Sequence, residues 1–170
     1  MPHASEREQL IERAFEAGVR QGCREDGLLE LLSRYFHHVA LEDLRERDAV
    51  DLAGAATSHR QLAGQRPIGT ANARVFSPTV DEHGWSTGHT VIEIVIDDMP
   101  FLVDSVNGEL SRQDRSIHLV VHPQIIVRRD AAGTLLEVLD VSAYDIAGGH
   151  EARCRATPSS SPGSTSRSTG

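Results

Sequence analysis

The sequence predicts an α+β protein, with a run of helices first and a mixed sheet packed against them second. Apolar residues recur at helical spacing up to about residue 67, and after Pro67 the period switches to alternation. From Thr90 onward the order reads strand, helix, strand, strand, strand. A strand, helix, strand unit in one sheet makes a right-handed crossover, and hairpins after it add antiparallel pairs, so the sheet is expected to be mixed.

Ser5 is placed to cap a first helix that runs to about Gly18, with Leu10, Ile11, Ala14 and Phe15 on one face. From Asp26, the residues Leu28, Leu31, Leu32, Tyr35, Phe36 and Val39 form a second and stronger amphipathic stripe. Asp48 is positioned to cap a third helix that carries Leu52, Ala56, His59 and Ala63 and ends before Gly64 and Pro67. Ala73 to Phe76 is a short strand, followed by a turn-rich loop containing Pro78, Gly84 and Gly88. In the strand Thr90 to Asp97, Ile92, Ile94 and Ile96 share one face while Val91, Glu93 and Val95 share the other. Leu102, Val103, Val106 and Leu110 then form a helical stripe with Pro100 expected in its first turn. Ser116 to Val121 alternates as a strand, and Gln124 to Arg129 and Thr134 to Val141 flank a hairpin loop at Asp130 to Gly133. Residues 151–170 hold no large apolar side chain and are expected to be a disordered polar tail.

At 170 residues the chain can bury one core, or a small domain with a helical extension. Its longest apolar stretches are broken by Glu93, His118, His122 and Gln124, well short of the roughly 20 apolar residues that span a bilayer, so no membrane partner is expected. Neither a basic region nor an apolar core opens the chain, which argues against a signal peptide and for the cytoplasm. Cys23 and Cys154 belong to no motif and read as free thiols. The net charge of −8 and the dispersed basic residues exclude nucleic acid as a partner. All seventeen basic residues are arginine, so chemistry that needs a lysine is excluded.

None of the fourteen glycines makes a dinucleotide fingerprint or a Walker loop, so no cofactor is expected in this chain. His118 and His122 lie roughly 13 Å apart if the segment is extended, too far to share a metal ion. His37 and His38 are neighbours on a helix and point apart, while Ser105 lacks the context of a nucleophile. Asp97, Asp98 and Asp104 read first as residues that cap and charge a helix N-terminus. The loop Asp97, Asp98, Met99 and Pro100 admits a second role, an effector site in which helix amides hold a ligand carboxylate and an aspartate holds its ammonium. Pro100 removes one donor and Phe101 adds bulk, which favours the cap.

The run Asp97-Asp98-Met99-Pro100-Phe101-Leu102-Val103-Asp104-Ser105-Val106, with Glu109-Leu110 and Ser116-Ile117-His118-Leu119-Val120-Val121-His122-Pro123, closely resembles the N-terminal region of the large bacterial NAD-glutamate dehydrogenases. Tyr35 to Val39, Glu42 to Leu44, Asp51 to Ala53, Gln65 to Pro67 and Arg74 to Phe76 look like the same family, giving a resemblance over residues 28–140. It implies an ACT-like, ferredoxin-like domain of the kind associated with amino-acid sensing and subunit contact. It also implies a distant catalytic domain that converts L-glutamate to 2-oxoglutarate with NAD. The matching stretch is not the catalytic part, so no catalytic residue is carried over. The family would continue after His150-Glu151 with a further strand and helix, so the sheet is expected to be incomplete, as in a truncated fragment. The expected layout is a helical segment at 1–67, an incomplete ACT-like domain at 68–150 and the tail at 151–170. The partners implied are further copies or the rest of the dehydrogenase, together with an amino-acid effector; the alternative is a free-standing amino-acid-binding module. Many amino-acid-binding ACT domains carry glycine after the loop proline, where this chain has Phe101.

Overall fold

The structure, a computed structural model, describes residues 5–139. The expected tail, Cys154 and the last part of the 68–150 domain lie outside the described residues.

Helix α1 (Glu6–Arg20) starts as its sequence dictates: the Ser5 hydroxyl accepts from the Glu8 amide, and the Glu8 carboxylate accepts from the Ser5 amide. Helix α2 (Leu28–Tyr35) is shorter than its apolar stripe, because the chain turns at Phe36 while Phe36 and Val39 stay buried. Arg7 stabilises that turn by donating to the carbonyls of Phe36 and Val39, each at 2.7 Å. A short α3 (Leu41–Arg45) leads into α4 (Ala49–Ala63), whose N-cap is Asp48 without a side-chain cap bond. Leu10, Ile11, Leu28, Leu32, Phe36, Leu44 and Leu52 form the centre of the core. Each such side chain contributes about 1.5–3 kcal/mol by leaving water.

Strands β1 (Asn72–Phe76) and β2 (Val91–Val95) pair antiparallel, with Arg74 opposite Glu93 and Val75 opposite Ile92. The short α5 (Val80–His83) and the buried Trp85 lie between them. The inward face of this sheet carries the polar pair. Glu93 is 3% exposed, and Arg74 donates to it and to Ser58 of α4 while lying 4.5 Å over the Phe76 ring. Val75 and Ile92 face outward and are exposed.

His59 joins the layers. Its Nε2 lies 3.1 Å from the Ile94 carbonyl, which can only accept, so Nδ1 accepts from the Tyr35 hydroxyl at 3.0 Å. Burial, with the charge of Glu93 adding to it, holds the Tyr35 phenol far above its ordinary range, so that hydroxyl remains a donor.

Helix α6 (Leu102–Arg112) follows, and then the hairpin β3 (Val127–Arg129) and β4 (Leu135–Val138). The hairpin is clasped to the end of α4: Arg129 donates to Ala63 O at 2.6 Å, Leu135 N to Gly64 O at 2.8 Å and Arg66 N to Gly133 O at 2.9 Å.

The α+β class holds, with one correction to its sheet. Among the described residues the strands form two separate antiparallel pairs and not one mixed sheet. The expected strand Ser116–Val121 pairs with neither. Leu119, Val121 and Ile125 pack on the helical core instead. Alternation requires only a surface for its apolar row, and the helices supply one, while the clasp holds β3 and β4 at α4 and away from β2.

Candidate functional site

The chain leaves β2 through Asp97 and Asp98, and these neighbours take different partners. Asp97 pairs with Arg66, whose guanidinium holds the Asp97 carboxyl below the usual carboxylate range. Asp97 is therefore charged and committed. Arg66 itself is buried and spans several segments, donating also to Thr70 O at 2.7 Å. The Nε atoms of Arg66 and Arg129 are buried without a partner among the described residues, a cost of packing two guanidiniums at one helix end. Asp98 faces the other way and accepts from Gln124 Nε2 at 3.3 Å.

The aspartates do not cap α6. Its N-cap is Phe101, with φ of 62° and no side-chain cap bond, and Pro100 precedes the helix and lies outside its first turn. The chain turns over at Pro100 and Phe101, which carries both aspartates away from the helix end. The left-handed backbone at Phe101 is the conformation glycine adopts freely and costs another residue about 1–2 kcal/mol. The loop thus keeps a glycine-like turn with phenylalanine in it.

A cavity of about 490 Å³ opens beside this turn, bordered by Asp98, Met99, Phe101, Asp104, His122 and Gln124. Phe101 is 75% exposed, so it edges the cavity and does not fill it. The uncapped start of α6 supplies amide donors, Asp98 and Asp104 supply negative charge, and Gln124 supplies an amide of either polarity. Three of the four expected loop residues, Asp98, Met99 and Pro100, line this cavity; Asp97 turns to Arg66. His118 stacks on His89 at 4.0 Å between ring centroids, while His122 borders the cavity. Arg66, His122 and Gln124 were not legible as partners of the loop, because 26 or more residues separate Gln124 and Arg66 from the aspartates they meet. No local pattern marks such a contact. Among the described residues no helix is long and apolar enough to cross a membrane.

A family model described as glutamate dehydrogenase, ACT1 domain, matches residues 31–157. The NAD-specific glutamate dehydrogenase of Pseudomonas aeruginosa is 38% identical over 106 residues, which is 62% of this chain and 6% of that protein. The enzyme of the same name from Halomonas elongata is 37% identical over 111 residues, 65% of this chain and 7% of that protein. The chain therefore spans only a small part of the length of these relatives. No solved structure matches.

Proposed function

Because this chain belongs to the glutamate dehydrogenase ACT1 domain family, we propose that it is a non-catalytic regulatory and assembly segment of a large cytoplasmic NAD-dependent glutamate dehydrogenase. The observation that carries this reading is apolar surface that the described residues do not fully cover, half-buried along α6 and exposed on the outer face of the β1 and β2 pair. Helix α6 fully buries no residue although it carries Leu102, Val103, Val106 and Leu110, and the outer face of the β1 and β2 pair exposes Val75 at 65% and Ile92 at 41%. Open apolar faces of this kind are contact surfaces for another chain or another part of the same enzyme. The segment needs no cofactor of its own, and NAD belongs to the parent enzyme. Light scattering on the purified chain is expected to show dimers or larger species that grow with concentration. A monomer across a wide concentration range would count against assembly.

The cavity supports a second, regulatory role for Asp98, Met99 and Pro100 as an amino-acid effector loop, with Asp97 anchoring that loop to Arg66. With the cap role lost to Phe101, Asp98 is free to meet a ligand ammonium while the α6 amides meet its carboxylate. A ligand specific to the native state must raise its stability. An amino acid at millimolar concentration is expected to raise the wild-type melting temperature by about 3 °C or more, and Asp98→Ala is expected to abolish the rise. If no proteinogenic amino acid moves the melt, or if Asp98→Ala leaves the rise intact, the loop is not the sensor.

A further inference from the structure

Two non-glycine residues among the described ones have left-handed backbone, and they flank α6: Phe101 with φ of 62° and Asp114 with φ of 53°. A short polar residue tolerates that conformation, whereas a bulky one is strained in it, so Asp114 is ordinary and Phe101 is not. The Phe101 ring adds a second unfavourable feature, since it is 75% exposed beside Met99 at 48%. The piece of chain that could relieve both is short. Arg66 holds Asp97, and α6 begins at Leu102, which leaves Asp98 to Phe101 between two fixed points. This piece borders the cavity of about 490 Å³, well above the roughly 150 Å³ that accommodates benzene, so the ring has somewhere to go. Charge keeps it out. Asp98 and Asp104 are exposed on the cavity border, and among the described residues no arginine lines the cavity to pair with them. A benzyl group laid over them would strip water from two carboxylates that lack a cation.

We propose that Phe101 is a lid on this cavity, held open by the hydration of Asp98 and Asp104 and closing when their charge is neutralised. The proposal rests on the effector reading above and gives that site its regulation. A ligand ammonium on the acidic border removes the cost of dehydration, the ring folds over the ligand, and the backbone at Phe101 leaves the left-handed region. Strain held in the open form is released in the closed one, so it adds to the affinity for a ligand that permits closure. Closure also redirects the chain where it enters α6, which passes the occupancy of the cavity to that helix.

The test is a cycle of substitutions in the whole chain, read by thermal melting without any ligand. Asp98→Asn with Asp104→Asn neutralises the border as an ammonium would, and both positions are exposed, so the change is compatible with folding. In the wild-type background Phe101→Ala is expected to move the melting temperature by less than about 1 °C, because the ring is exposed and alanine keeps the same strain. Phe101→Gly, which removes the strain, is expected to raise it by about 2 °C. In the neutralised background the ring covers the cavity, and Phe101→Ala is expected to lower the melting temperature by about 5 °C. Equal small effects of Phe101→Ala in both backgrounds would overturn the lid and leave the effector reading to the amino-acid melts of the wild-type chain. A fall of about 5 °C already in the wild-type background would overturn the charge control, since the ring would then be buried beside ionised aspartates.

Discussion

Gly54→Ala is expected to lower the stability of the chain by about 3 kcal/mol, through displacement of a tryptophan from the core. A Cβ at position 54 would stand 2.2 Å from Trp85 Cγ and 2.5 Å from Trp85 Cβ, closer than any atoms pack. Trp85 is 4% exposed and caps the sheet side of α4, with its ring in edge contact with Phe76 at 6.1 Å. Helix α4 is the central helix, so it cannot yield without disturbing α1 and α2. The indole is expected to leave instead, which exposes its area to water and empties its site. Chemical denaturation measures the loss, and a red shift of the single tryptophan's emission in the native state identifies the cause. A variant as stable as wild type with unshifted emission would mean that α4 and Trp85 do not pack in this way.

Arg74→Ala is expected to cost about 3–5 kcal/mol, the range for removing one partner of a buried ion pair. The Glu93 side chain is 3% exposed, and Arg74 is the side chain that donates to it among the described residues. Without the guanidinium a carboxylate is stranded against α4, and the contact over Phe76 is lost as well. Glu93→Ala is expected to cost less, because the Arg74 side chain is 36% exposed and can turn to water while keeping Ser58. The order of the two losses checks the geometry by denaturant titration. Equal or reversed losses would place the carboxylate, and not the arginine, nearer to solvent.

Local signals in the sequence were read correctly where the cause was local. The capping of α1 by Ser5 and the start of α4 after Asp48 follow from residues within a few positions of one another, and β1 and β2 were legible as strands from their own alternation, whereas their pairing joins residues 15 or more positions apart. Helix α3 escaped notice because five residues offer only Leu41 and Leu44 as a pattern, and α5 offers less. The inward turn of Glu93 was not legible either, since alternation favours the isoleucine row and the compensating Arg74 comes from another strand. Residues 116–121 were read as a strand, but among the described residues they join no sheet, because pairing depends on what lies beside a segment, which alternation does not encode. The effector loop could be named from its residues, whereas its contacts to Arg66 and Gln124 belong to tertiary structure. Its supposed capping role failed because the left-handed turn at Phe101 moves the aspartates off the helix end.

The role proposed for this chain is contact and regulation without catalysis, a proposal motivated by a sequence with no dinucleotide fingerprint and no lysine. Glutamate-dependent reduction of NAD by the purified chain, followed by the absorbance of NADH, tests this most directly. The account predicts a rate equal to that of buffer without protein. A rate that scales with the amount of chain, and that falls when a residue of this chain is substituted, would contradict it.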